Sequence, residues 1–358
     1  MRARVARRPG LRGDIVRLGL VGYGVGGRYF HAPFIVAARD VELVGVVTRS
    51  PERRAELAAD HPGVPAHDTL ADLIDAGIDA VTITTPPQTR RALVLEAITA
   101  GVPTIADKPF APTADGGREL VAAAREAGVP LNVFHNRRWD ADIRTLAAVL
   151  KGGELGELWG VESRMEQDNA AGLEVGPDAG LLRDLGSHLV DQVLWLLGPA
   201  RSVYAELDHV GTGDSRTDCR FTVSLTHADG VRSRVGASKL NHIEDRELRA
   251  YGSAGCYLAR STDVQAQAVF AGRRPADEGD AWGYDDEEHW GTLHTAAGSV
   301  SVPSEQGAYQ DYYTRFAAAL RGDGDFPVPA EQAVHTLEVL DAARTSAAQN
   351  RVLELSPP

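Results

Sequence analysis

Three short runs in this 358-residue chain combine residue type and spacing in a way that could do chemistry. Gly22-Tyr23-Gly24-Val25-Gly26-Gly27 is a GxGxxG turn. Alone the pattern is weak, but between a buried strand and a helix it is the turn that receives a dinucleotide pyrophosphate. Gly22 makes the tight turn, Gly24 lets the backbone approach the phosphates, and Gly27 lets helix and strand pack closely. The helix start then offers N–H groups to an anion. At the end of the next strand an acid would bind the ribose 2′-hydroxyl of NAD, but the chain reads Thr48-Arg49-Ser50. A guanidinium pairs with a 2′-phosphate and the hydroxyls add hydrogen bonds, which favours NADP over NAD.

The second run, Asp107-Lys108-Pro109, follows a strand of the same pattern, where open α/β sheets bind ligands. Pro109 restricts Lys108 to extended backbone, and the lysine can hydrogen-bond a substrate hydroxyl. A surface lysine is the plain alternative. The third run is Asp184-Leu185-Gly186-Ser187-His188, with Asp191 one turn on. On a helix Asp184 and His188 share a face. A carboxylate beside an imidazole orients it and favours its protonated form, which suits proton exchange with an alcohol. A structural Asp–His pair is the alternative.

The elements needed to position these groups are legible. Strands are expected at 17–22, 41–47, 80–84, 103–106 and 131–134, with helices at 27–38, 51–59, 68–76, 88–100 and 113–127. This alternation predicts a Rossmann-type, doubly wound parallel sheet. After Trp139 the rhythm changes. Helices are expected at 141–150, 182–197, 309–320 and 330–347, and strands at 160–167, 202–207, 220–227, 231–237, 246–251 and 255–258. That is an α/β domain with a mostly antiparallel open sheet. The acidic run 277–288 is expected to be a loop, without the spacing of a calcium site. The organisation expected is a flexible tail or over-extended start over 1–13, a dinucleotide domain over 14–138 and a second domain over 139–358.

Composition narrows the function classes. Fifty acidic and 37 basic residues give a net charge of −13, which argues against a phosphate backbone as partner. No apolar run approaches the ~20 residues of a membrane helix. Cys219 and Cys256 have no CxxC spacing and fit a reducing, cytoplasmic setting. No metal-ligand motif such as HExxH is present, so no metal is expected.

In this order the three runs resemble the glucose–fructose oxidoreductase / inositol dehydrogenase / rhizopine-catabolism (Gfo/Idh/MocA) family over about residues 15–350. Further runs look like its NADP-dependent scyllo-inositol 2-dehydrogenase branch: Tyr29-Phe30-His31-Ala32-Pro33, His135-Asn136-Arg137-Arg138-Trp139-Asp140, Ala271-Gly272-Arg273-Arg274-Pro275 and Trp282-Gly283. The resemblance implies reversible hydride transfer between a nicotinamide cofactor and a sugar or cyclitol carbon, in a homodimer or homotetramer, with 139–358 as the substrate-binding and oligomerisation domain. It implies Lys108 on the reacting oxygen, His188 as proton donor and acceptor, and Asp184 orienting His188 or binding a neighbouring hydroxyl. Asn136, Arg138 and Tyr312 are weaker candidates for substrate contact, with domain-junction bonding or core packing as alternatives. Tyr23, Val25, Thr85, Pro86 and Asp107 are implied at the cofactor. Two departures stand out: Asp107 replaces the usual glutamate, and Pro87 and Arg90 stand where the family often has Asn and His. A dinucleotide-sensing regulator without catalysis, or a ketoreductase for another sugar, remains the alternative.

Overall fold

The computed structural model describes residues 14–176 and 179–356, so the tail expected over 1–13 lies outside the described residues. The first sheet comprises β1 (Val16–Val21), β2 (Val41–Val47), β3 (Ala66–His67), β4 (Ala80–Ile83), β5 (Thr104–Asp107) and β6 (Leu131–Phe134), all parallel, in the order β3-β2-β1-β4-β5-β6. That is the order of a Rossmann sheet, whose strand order reverses at β1. Its helices are α1 (Ala32–Ala37), α2 (Pro51–Asp60), α3 (Leu70–Asp75), α4 (Pro87–Thr99) and α5 (Ala114–Ala127). The strands are apolar on both faces because helices cover both: Leu20, Val46, Val81, Ile83, Ile105 and Val133 are fully buried. The helix expected from Gly27 opens as a π-helical stretch, Gly26–His31, before α1 begins.

Then follow α6 (Ala141–Gly152), β7 (Leu158–Glu166), α7 (Leu181–Asp184), α8 (Gly186–Leu197), β8 (Ala200–Val210), β9 (Thr217–His227), β10 (Arg232–Ser238), β11 (Asp245–Gly252) and β12 (Gly255–Arg260). The chain ends with α9 (Val264–Phe270), α10 (Pro275–Glu278), β13 (Gly291–Thr295), β14 (Gly298–Val302), α11 (Gln310–Arg321), α12 (Ala330–Gln349) and β15 (Leu353–Glu354). The second sheet runs β14-β13-β12-β11-β7-β10-β9-β8-β15. Only its β7–β10 pair is parallel. Strands β13 to β15 and helix α9 were not anticipated; they are short or carry mixed polarity. No helix among the described residues is long and apolar enough to cross a membrane.

The chain divides into two compact units that interleave. The first comprises the residues up to 136 with 265–282 and 308–333; the second comprises 137–264, 283–307 and 334–358. A single boundary at 138 assigns 265–282 and 308–333 to the second part, yet aromatic packing holds them in the first. Phe34 of α1 meets Trp282 and Tyr309, and Phe134 of β6 meets Tyr312 and Tyr313. Such pairs contribute about 0.5–1.5 kcal/mol each beyond area burial. The acidic run expected to be a loop is therefore partly core. Trp282 is fully buried, and its Nε1 donates to Gln265 Oε1 at 3.2 Å.

The helix expected over 182–197 is divided at Leu185 into α7 and α8. His188 N donates to Leu185 O at 3.1 Å, an i→i−3 bond that tightens the turn. Leu185 itself stays helical, at φ −81° and ψ −33°, and the i→i−4 bonds Leu185 N to Leu181 O and Leu189 N to Leu185 O run through the division. Asp184 and His188 thus flank a tightened turn of one helical path.

Candidate active site

In the first unit the glycine turn has the local geometry its residues predict. Gly22 adopts φ +103°, open to glycine and strained for other residues. A Cβ on Gly27 would lie 2.1 Å from Gly22 O, so helix and strand touch through bare backbone. A Cβ on Gly24 meets nothing within 4 Å, which leaves the backbone there open to an incoming group. Val25 is exposed beside it. Tyr23 is buried and its hydroxyl donates to Asp60 Oδ2 at 3.0 Å, so this side chain shapes the turn from behind. Arg28 holds the same carboxylate, with Nε donating to Asp60 Oδ2 at 2.7 Å.

At the end of β2, Arg49 is exposed. Ser50 Oγ accepts from Arg53 N at 3.3 Å and so caps α2. Arg54 Nε donates to Thr48 O at 3.0 Å, which brings a second cation to this strand end. Sequence reasoning missed Arg54; its signal was its place in the first turn of a helix that follows the strand. Open backbone at Gly24 fits the approach of a dinucleotide.

Behind Lys108 sits a network that sequence reasoning saw only as a motif. Asp107 Oδ1 accepts from Lys108 N at 2.8 Å, and Oδ2 accepts from Thr84 Oγ1 at 2.8 Å. His31 Nε2 lies 3.4 Å from Asp107 Oδ2, and His31 Nδ1 lies 2.6 Å from the Tyr313 hydroxyl. Burial by itself would raise the Asp107 carboxyl. The charges of His31, Arg90 and Lys108 outweigh it and hold the group well below the usual carboxylate range. Burial in turn pushes the Tyr313 phenol well above its ordinary value. The Lys108–Pro109 bond is cis. Tyr312 is fully buried and its hydroxyl donates to Val133 O at 3.0 Å, so it packs in the core of this unit. Asn136 is buried in the 3₁₀ turn that follows β6.

In the second unit His188 lies in the first turn of α8 and is buried. Asp184 Oδ2 accepts from Lys239 Nζ at 2.7 Å, and the same ammonium donates to Gly172 O at 2.8 Å. Lys239 is buried and directly follows β10. Sequence reasoning did not single it out, because its partner is 55 residues away. Arg138 is buried in a two-bond fork on Asp191, Nε to Oδ2 at 2.8 Å and Nη2 to Oδ1 at 2.7 Å. The fork anchors α8 to the turn after β6. Arg137 Nη2 donates to Asp263 at 2.7 Å, and Arg246 bonds both Asp140 and Asp142. Exposed Asp286 and Glu288 approach His289 on the surface of this unit, and buried Asp285 lies 3.6 Å from His289 Nδ1.

Comparison with known proteins agrees with both halves. Residues 16–135 match the family model described as an oxidoreductase family with an NAD-binding Rossmann fold, and residues 143–258 match the GFO/IDH/MocA C-terminal domain. The chain is 34% identical to the uncharacterized oxidoreductase YdgJ of Escherichia coli (strain K12), over 96% of this chain and 99% of that protein. It is 30% identical to scyllo-inositol 2-dehydrogenase (NADP(+)) IolW of Bacillus subtilis (strain 168), over 96% of each chain. The solved structure of the YPO2259 putative oxidoreductase from Yersinia pestis superposes with a TM-score of 0.87 at 30% identity, covering 96% of this chain and 98% of that one. A Rossmann sheet with an open glycine turn, a mostly antiparallel second sheet and these full-length matches place the chain in the Gfo/Idh/MocA family of oxidoreductases.

Proposed function

We propose that this oxidoreductase uses NADP and interconverts a secondary alcohol of a cyclitol or sugar with its ketone, scyllo-inositol and its inosose being the favoured pair. The observation that carries the cofactor choice is the end of β2. Exposed Arg49 stands where an acid would select NAD, and Arg54, paired with Asp68, bonds the carbonyl of Thr48. The open backbone at Gly24, with Gly22, Gly27 and the following helix start, would hold the pyrophosphate. Thr48, Arg49 and Ser50 would hold the 2′-phosphate, and Thr85, Pro86 and Asp107 the nicotinamide side. The bound nicotinamide supplies the hydride acceptor or donor.

The chain's own residues then handle the oxygen and its proton. Lys108 donates a hydrogen bond to the reacting oxygen and stabilises the charge that builds there. His188 takes the hydroxyl proton on oxidation and returns it on reduction. Asp184, held by Lys239, orients His188 or receives a neighbouring hydroxyl. The similarity to IolW supports the substrate choice. We also propose a cytoplasmic homo-oligomer, dimeric or tetrameric, consistent with two free cysteines.

The test is absorbance at 340 nm with NADP and NAD against scyllo-inositol, myo-inositol, glucose and xylose, then the reverse reaction with inosose. NADP-dependent turnover of scyllo-inositol should fall about 10²- to 10⁴-fold in Lys108→Ala and His188→Ala. Arg49→Ala should raise the KM for NADP about 10- to 100-fold while leaving that for NAD in place. Turnover of another sugar alone discards the substrate and keeps the chemistry. NADPH binding without turnover of any of them overturns the catalytic reading in favour of a sensor.

A further inference from the structure

Arg90 is buried in the first turn of α4, at 5% exposure, an unusual place for a guanidinium. Its Nε and Nη2 donate to Thr85 O at 3.1 and 2.7 Å, and its Nη1 donates to Pro109 O. One side chain therefore grips two loops. Thr85 belongs to the β4–α4 loop, and Pro109 follows Lys108. The same two segments are joined a second time on the other side of Lys108, where Asp107 accepts from Thr84 Oγ1 and from Lys108 N. The Lys108 backbone is thus fixed before and after the residue, both times to the Thr84–Thr85 strand end. Carbonyl acceptors fix the path of the chain itself, and Arg90 delivers three such bonds in the fixed plane of its guanidinium.

We infer that Arg90 is a positioning residue that sets the Lys108 side chain relative to the Thr85–Pro86 loop. The inference rests on the proposed role of Lys108 at the reacting oxygen. Loss of the grip lets Lys108 and the loop shift independently, and a displacement near 1 Å is enough to cost about 10²-fold in rate. The far end of the dinucleotide site, at Gly24 and Arg49, is untouched.

The experiment compares wild type with Arg90→Met, which keeps the length and loses every donor, and Arg90→Lys, which keeps the charge and loses the fork. Three readouts are taken: kcat and KM for the alcohol, NADPH affinity by fluorescence, and hydrogen–deuterium exchange over 84–91 and 105–112. The expected result for Arg90→Met is a kcat lower by about 30- to 100-fold, with KM and NADPH Kd within about threefold. Both segments should exchange faster together, and Arg90→Lys should recover part of the rate. Unchanged exchange in both segments overturns the inference, as does faster exchange with wild-type kcat. If wild type turns over no alcohol, the functional reading fails on its own, and exchange still decides whether Arg90 grips both loops. Should Arg90→Met fail to fold, Arg90→Gln, with one amide donor left, takes its place under the same criteria.

Discussion

The glycine turn of the first unit and the His188 region of the second are built by opposite means. The turn uses backbone: Gly22, Gly24 and Gly27 fall within six residues, and their lack of side chains is what counts. The His188 region uses buried charge: Lys239 on Asp184, Arg138 on Asp191, Arg246 on Asp140 and Asp142. Amides at a helix start receive an anion at little desolvation cost because they are partial charges already facing outward. A buried carboxylate needs a matched cation, and that cation comes from elsewhere in the chain. The first kind of site is a local property of sequence; the second is a property of the fold.

The comparison breaks most sharply at Arg138. Arg138→Met leaves Asp191 buried without its fork and should cost about 3–5 kcal/mol in chemical denaturation. Adding Asp191→Leu should restore most of that loss, because the uncompensated charge goes with it. A single variant that loses under about 1 kcal/mol would show that the region does not depend on matched charge.

Next in size is Lys239. Lys239→Met removes the partner of Asp184 and its bond to Gly172 O, so the carboxylate should lose its fixed orientation. We expect kcat to fall about 10- to 100-fold and NADPH affinity to hold. Wild-type kcat would sever Asp184 from the chemistry.

This contrast explains what could be read in the sequence. The parallel sheet was legible because its strands are short apolar runs punctuated by helices with caps; β6 was expected over 131–134 and lies there. The glycine roles were legible because each is set by neighbours a few residues away. The Asp184–His188 spacing was visible, but the tightened turn at Leu185 was not, since no residue pattern there announces an i→i−3 bond. Lys239 was invisible for the same reason, and Arg90 was visible only as a departure from the family pattern: their partners are carbonyls and carboxylates that only the folded chain brings near. The mixed affiliation of 265–282 and 308–333 follows from aromatic pairs such as Phe34 with Trp282, which no periodicity announces.

Two glycines sharpen the comparison within the first unit. Gly24→Ala adds a Cβ to open space, so thermal stability should stay unchanged while NADPH Kd rises about tenfold, near 1.4 kcal/mol. Gly27→Ala drives a Cβ against Gly22 O and should destabilise the unit by about 1–3 kcal/mol as well as weaken binding. Equal effects of the two on stability would mean that Gly24 serves packing and not a ligand.

The smallest effect concerns acid. Burial lowers the pKa of His227, whose ring is bonded to Gly198 O and Ser233 Oγ, each at 2.8 Å, in the second unit. Burial also lowers that of half-buried His61 in the first. Both therefore bind fewer protons folded than unfolded once pH falls through the ordinary histidine value of about 6.5. Their stabilisation is complete above that pH and is lost as pH falls toward and through the folded values, at no more than about 1.4 kcal/mol per pH unit for each proton. Asp107 acts in a lower window, because its depressed pKa keeps its contribution intact until well into the acid range. The midpoint of thermal unfolding should thus decline between pH 7 and 5. His227→Gln should flatten that decline more than His61→Gln, because only His227 is fully buried. A decline that neither substitution alters would assign the acid sensitivity of the fold to its carboxylates instead.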